Sequence, residues 1–310
     1  MTLIQKIVMS KTTKLAINGI LLLNKPIGYT SNFVLQKVKH LFNAQKAGHT
    51  GSLDPIATGM LPICFGQATK FSQYLLDADK CYEVTAKLGI KTSTADATGE
   101  IISNISPESV TKDQLHTALN AFRGQIKQVP SMYSALKHQG IPLYKYARAG
   151  KEVERKARDV TIHKLTLDAF EDYQFKLTVC CSKGTYIRNL VEDIGDMLGV
   201  GAHVTQLHRT YTMGLEHDTM YPLEDLQAME QTELFQLLLP VDRAIEHMPC
   251  ISLNAQDVLA LRHGKVIQTN AHCETGIVRV LDDGQHLVGL GIIDTSSQLK
   301  AHRLLAYSSA

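Results

Sequence analysis

The chain has 310 residues, 44% of them hydrophobic and 20% charged, and a formal net charge of +2. Its apolar content is too high for a disordered chain and suffices to build a core of one to three domains. So small a charge excess excludes a molecule-wide polyelectrolyte, and any nucleic-acid surface must come from local clustering.

Met1 to Asn18 alternates polar and apolar residues with scattered lysines. This is expected to be a flexible N-terminal extension, since it lacks the apolar h-region of a signal peptide. No apolar run approaches the roughly 20 residues of a membrane span, so a soluble, cytoplasmic protein is expected. Gly19 to Asn24 is a short apolar run ended by Lys25-Pro26, which predicts a buried strand. Thr30-Ser31 offers an N-cap before Val34, Val38, Leu41 and Phe42, which share one helical face. Gly48 to Gly59 (GHTGSLDPIATG) reads as a loop, and Phe71, Tyr74 and Leu75 as part of a short helix. Cys81 to Leu88 alternates as a strand, with Tyr82, Val84, Ala86 and Leu88 on one face. Thr111 and Gln114 form a capping box before Leu115, Leu119 and Phe122.

Residues 127–158 break the periodicity with Pro130 and Pro142. They carry Lys137, His138, Lys145, Arg148, Lys151, Arg155, Lys156 and Arg158, interleaved with Tyr133, Tyr144 and Tyr146. Such runs are more often solvated loops, but the mixture also suits phosphate contacts with stacking on unpaired bases. Regularity returns with a strand at Phe175 to Ser182. A helix follows from about Thr185, with Ile187, Leu190, Val191, Ile194 and Leu198 on its buried stripe. From about residue 250 a small module begins, with a hairpin over Gly276 to Ile293. Strands and helices interleave without regular βαβ spacing, which predicts an α+β fold. The cysteines are Cys64, Cys81, Cys180, Cys181, Cys250 and Cys273, none in a C-x-x-C pair. Free thiols in a reducing compartment are expected, with no zinc site.

The most informative segment is Gly48 to Gly59. Glycines permit tight turns, and Pro55 biases Asp54 towards an extended backbone, so one carboxylate is held on a stiff turn. Physically this is a pre-organised acid on a loop; an Asx turn would look the same.

GHTGSLDPIATGMLPICFG (Gly48 to Gly66) resembles the motif of the TruB family of tRNA pseudouridine synthases, as does NKPIGYTS (Asn24 to Ser31). Further matches follow in order: ATKFSQYLLDADKCYEV (Ala68 to Val84), TSTADATGE (Thr92 to Glu100), CSKGTYIRNLVEDIG (Cys181 to Gly195) and GAHVTQLHRT (Gly201 to Thr210). The resemblance covers residues 19–310 and is strongest up to 210. It implies a pseudouridine synthase fold, with a central, mainly antiparallel mixed sheet flanked by helices. It implies a catalytic domain at 19–249, an RNA-gripping insertion at about 127–158, ordered only on binding, and a β-rich PUA-like domain at 250–310. The implied reaction isomerises uridine 55 in the T-loop of tRNA by base flipping, without cofactor or metal. The implied partner is the tRNA T-arm, with no protein partner or membrane, and a monomer.

Residue by residue, the resemblance makes Asp54 the catalytic carboxylate, acting at C1′, C2′ or C6 of the target nucleotide. Arg188 is its guanidinium partner, expected to lower its pKa. Tyr82 is a catalytic candidate that stacks on the target base and helps remove the C5 proton, although a free phenol is a poor base at neutral pH, and His49 fills the space that the base vacates. Lys25, Lys70, Arg148, Arg155, Lys156 and Arg158 are candidate substrate contacts, and Leu207 a lining residue of the uracil pocket. The family pattern has two arginines after that leucine; His208 replaces the first and Arg209 remains. Competing expectations are a tRNA-folding chaperone or RNA-binding protein, the catalytic subunit of an RNA-guided synthase, and a glycoside hydrolase. The last needs a second carboxylate; Asp96 is available, but nothing in the sequence brings it to Asp54.

Overall fold

A computed structural model describes residues 13–134, 136–269 and 275–306. Its centre is a nine-stranded mixed sheet. The path runs Tyr221–Pro222, Gly19–Lys25, Ala57–Phe65, Ala202–Thr212, Lys80–Leu88, Gln174–Cys181, Arg158–Glu171 and Gly124–Gln128, with Ala47–His49 paired on Ala57–Phe65. Gly19–Lys25 runs parallel to Tyr221–Pro222, and Ala57–Phe65 parallel to Ala202–Thr212; the other pairs are antiparallel.

The first strand is an unbroken apolar run because both of its faces are covered. Leu21 and Leu23 join Val34, Val38, Val84, Leu119, Leu177, Leu190 and Ile194 in a core under the helices Ser31–Leu41, Lys112–Asn120 and Ile187–Met197. Ile20 and Leu22 face the other way, into a cluster with Met60, Phe71, Leu75 and Leu290 of the C-terminal module. That module is a five-stranded sheet over residues 250–304 with the helix Ala255–Arg262, built around Leu261, Val280 and Leu299. Among the described residues no helix is long and apolar enough to cross a membrane.

The expected helix starts are present in atomic detail. Thr30 Oγ1 accepts from the Phe33 amide, and Thr111 and Gln114 close a reciprocal capping box. Four expectations change. Residues 13–18 are pinned rather than loose: Leu15 N donates to Asn43 O (2.8 Å) and Asn18 Oδ1 accepts from Gln67 N (2.7 Å), while residues 1–12 lie outside the described chain. The glycine-rich segment is only partly a loop, since Gly48 and His49 end one strand and Ala57 to Gly59 begin another. The 127–158 insertion contains a hairpin (Lys137–His138 with Ile141–Pro142) and the helix Leu143–Arg148, while Arg158 opens a 14-residue strand to Glu171 that its sequence did not announce. Finally, Cys81 and Cys180 are paired as a disulfide instead of being free thiols. They are register partners on adjacent strands, a proximity hidden by 99 residues of sequence separation. Cys64, Cys181 and Cys250 remain free, and Cys273 lies outside the described residues.

Candidate active site

Asp54 sits on the turn between Ala47–His49 and Ala57–Phe65, and that turn is bolted to its surroundings. Ala57 N donates to Asp54 O (3.0 Å), and Gly28 N donates to Pro55 O (2.7 Å). Ser31 Oγ donates to Leu53 O (3.0 Å) and accepts from Leu53 N (2.8 Å). Leu53 and Ile56 are buried on either side. Gly59 has a positive φ of 98°, and a Cβ there would lie 2.2 Å from Arg209 O, so the backbones meet where only glycine fits.

Arg188, at the start of the Ile187–Met197 helix, is 5% exposed, and its guanidinium carries the geometry. Nη2 lies 2.9 Å from Asp54 Oδ2 and donates to Tyr133 O (3.0 Å); Nη1 donates to Thr94 O (2.8 Å) and Asp96 Oδ2 (3.2 Å). Asp96 is the feature that sequence reasoning set aside. Its carboxylate is nearly sealed, and Oδ1 accepts from Thr94 Oγ1 (2.8 Å) and Thr98 N (3.0 Å). A second carboxylate does therefore reach the site through Arg188. Its oxygens are already occupied by protein donors, so it anchors the arginine and offers no free acid for hydrolysis of a glycoside. No local sequence signal marked it, beyond lying inside the matched TSTADATGE segment.

Asp54 itself stays 41% exposed at the side chain, facing a cavity of about 590 Å³. Thr30, His49, Asp96, Tyr133, Tyr144 and Arg148 are among its lining residues. Burial of the carboxyl against the cavity wall pushes its pKa above the ordinary value; Arg188 and Lys25 oppose this, while Asp96 adds to it. The net direction is upward, so the expected depression by Arg188 is present as a contribution but outweighed by desolvation.

Tyr82 is 9% exposed and packs in the main core beside Arg209; burial raises its phenol pKa, which disfavours a phenolate base. His49 lines the cavity, its Nδ1 without a hydrogen-bond partner among the described residues, and burial, with Arg209 nearby, lowers its pKa. Arg148 lines the cavity with its guanidinium 5.5 Å from the Tyr144 ring centroid. Arg155 lies outside that lining; it donates to Pro130 O (3.1 Å) and borders a separate recess with Lys156 and Arg158.

Three further expected contacts also fall outside the cavity lining. Lys25 is 0% exposed and spends its ammonium on Pro26 O (2.9 Å) and Tyr29 O (2.7 Å), so it reaches Asp54 only as a nearby charge; burial lowers its pKa to about 8. Lys70 donates to Leu304 O (2.7 Å) at the junction with the C-terminal module. Leu207 borders a different cavity, with Thr58, Glu83 and His208, and His208 Nδ1 is 2.8 Å from Thr58 Oγ1. Arg209, by contrast, is wholly internal: Nε donates to Met60 O (2.6 Å) and Nη2 to Gly51 O (3.0 Å), tying the strand to the glycine turn.

Three family models match the chain. "TruB family pseudouridylate synthase (N terminal domain)" spans residues 39–187, "tRNA pseudouridylate synthase B C-terminal domain" 188–246, and "Pseudouridine synthase II TruB, C-terminal" 249–305. The chain is 53% identical over 294 residues to tRNA pseudouridine synthase B of Legionella pneumophila (strain Philadelphia 1), covering 94% of this chain and 97% of that one. It is 51% identical over 302 residues to the protein of the same name from Aeromonas salmonicida, covering 94% of each. Among solved structures it is similar to one described as a Cbf5-Nop10-Gar1 complex, with TM-score 0.69, 29% identity and coverage of 90% of this chain and 79% of that one. A second is described as an H/ACA RNP bound to a substrate RNA containing 2′-deoxyuridine, with TM-score 0.70, 25% identity and coverage of 93% and 85%.

Proposed function

The chain belongs to the TruB family of pseudouridylate synthases, and from that premise we propose that it isomerises uridine 55 in the T-loop of tRNA, with Asp54 as the reacting carboxylate. It is a tRNA pseudouridine synthase, an isomerase. The observation that carries the site assignment is a single one: Asp54 is ion-paired at 2.9 Å to a buried arginine, yet keeps 41% of its side chain open to a cavity of about 590 Å³.

The reaction breaks the N1–C1′ bond, turns the uracil and rejoins it through C5, releasing the C5 proton. Asp54 acts on the nucleotide as an ionised carboxylate, by attack at C1′ or C6 or by proton removal at C2′. Each route needs the acid held close and aimed, and Arg188 does this with Asp96, Thr94 and Tyr133 fixing its own orientation. Reaching the target requires the uridine to leave the T-loop stack. His49 and Arg148 on the cavity wall then contact the opened RNA, whereas Tyr82, buried in the core and outside the cavity lining, reaches the base only if the wall opens towards it. The insertion's Arg155, Lys156 and Arg158, around their separate recess, supply further phosphate contacts away from the reacting nucleotide. The protein acts as a cytoplasmic monomer without a protein partner or cofactor.

Purified protein mixed with tRNA tritiated at uracil C5 should release tritium to water, and Asp54→Asn should release none. Release by the Asp54→Asn variant at the wild-type rate overturns the assignment of the carboxylate. A synthase dependent on accessory subunits, the reading that the 29% identical Cbf5-Nop10-Gar1 structure would suggest, is not favoured over the 53% identity to tRNA pseudouridine synthase B. Turnover of free tRNA by the isolated chain decides against it.

A further inference from the structure

Beside the cavity lies a feature that the chemistry above does not use. The rings of Tyr29 and Phe33 stack with centroids 5.0 Å apart and planes within 3° of parallel, and the Lys37 ammonium lies 5.3 Å from the Phe33 centroid. Although they cover one another, the two residues remain 42% and 44% exposed. Packing at a helix start accounts for their contact but not for leaving two large rings in water.

Their position relative to Asp54 is fixed. Tyr29 O accepts from the buried Lys25 ammonium at 2.7 Å, and Gly28 N donates to Pro55 O at 2.7 Å. Thr30, Ser31 and Asn32, between the two aromatics, form part of the wall of the Asp54 cavity. Whatever rests on the rings is therefore registered against the catalytic turn.

We propose that Tyr29 and Phe33 form a stacking platform for an unpaired nucleobase of the RNA substrate, one close to the nucleotide that enters the Asp54 cavity. The proposal rests on the reading of the cavity as an RNA site. Extruding one nucleotide leaves its neighbours without a stacking partner, and a flat aromatic face supplies a replacement without regard to base identity. Parallel rings extend that column, and Lys37 adds a cation for the adjoining phosphate.

The chain contains no tryptophan, so Tyr29→Trp creates a lone fluorophore at the platform. In an Asp54→Asn background, which holds substrate unreacted, titration with an unmodified T-arm stem-loop should quench its emission to saturation. Tyr173→Trp, on the remote turn between Arg158–Glu171 and Gln174–Cys181, should stay unquenched. In the otherwise wild-type enzyme, Tyr29→Ala/Phe33→Ala should raise KM for tRNA roughly 5- to 150-fold, as expected for the loss of base–aromatic stacking. Its kcat should remain within about twofold, and Tyr29→Phe should behave as wild type. Unquenched emission at saturating RNA, or an unchanged KM in the double variant, overturns the platform. Absence of tritium release by the wild type instead overturns the parent reading, and the fluorescence titration still tests the platform independently.

Discussion

Replacing Arg188 by methionine keeps much of its volume and removes its charge, leaving three consequences that can be sized from the structure. The Asp96 carboxylate, 4% exposed at the side chain, loses its only ionic partner among the described residues. The carbonyls of Thr94 and Tyr133 lose donors at 2.8 and 3.0 Å. Asp54 loses the larger of the two cations that oppose its upward pKa shift. Breaking a buried pair while leaving one charge behind costs about 3–5 kcal/mol. With roughly 2 °C of midpoint per kcal/mol for a chain of this size, thermal unfolding should shift down by about 6–10 °C. Adding Asp96→Asn removes the stranded charge, so the double variant should recover part of the loss. Coupling between the two sites should reach about 1.5–3 kcal/mol in a double-mutant cycle. Calorimetry measures both quantities, and tritium release should fall far below wild type in every variant lacking Arg188. A midpoint within 2 °C of wild type for Arg188→Met, or strictly additive losses, would refute the claim that Asp96 and Arg188 form one buried unit.

Other consequences concern charge, capping and thiols. Because the Asp54 pKa lies above the ordinary carboxylate value, activity needing its ionised form should fall as pH drops through that raised pKa, earlier than for a free aspartate. Asp96 contributes to the rise, so Asp96→Asn should move the acid limb of kcat/KM to lower pH; a shift to higher pH would contradict the sign. Thr111→Ala removes the side chain that caps Lys112–Asn120 and should cost about 1 kcal/mol in urea unfolding, with activity kept. In a Cys273→Ser background, the native protein should react with a thiol reagent first at exposed Cys250. Cys64 and Cys181 should lag far behind, because burial raises their pKa values to about 12 and about 11. Equal labelling of all three would count against their burial.

Local chemistry was legible in the residues themselves. The Thr30 and Thr111 caps, the alternation through Tyr82, Val84, Ala86 and Leu88, and the stripe through Ile187, Leu190 and Ile194 are short-range patterns, and the structure repeats them. The turn at Asp54 was legible for the same reason, because Pro55 and the glycines restrict the backbone wherever they occur. The strand Arg158–Glu171 was not, since Val160 and Ile162 alternate in one phase and Leu165 and Leu167 in the other, across a register shift after Ile162, and its place follows from pairing with Gln174–Cys181 and Gly124–Gln128.

What sequence alone determined here is therefore most of the local elements and, through matched motifs, the family; the same motifs single out Asp54 as the acid proposed to react. Tertiary structure decided which distant side chains share one electrostatic site: Asp54 and Asp96 come from separate segments, and each lies within 3.2 Å of the Arg188 guanidinium, which comes from a third. It also withdrew Lys25 and Lys70 from the cavity by giving their ammonium groups carbonyl partners. Propensity and periodicity act over a few residues, whereas Coulomb energy and desolvation depend on distance in space, and the fold sets that distance.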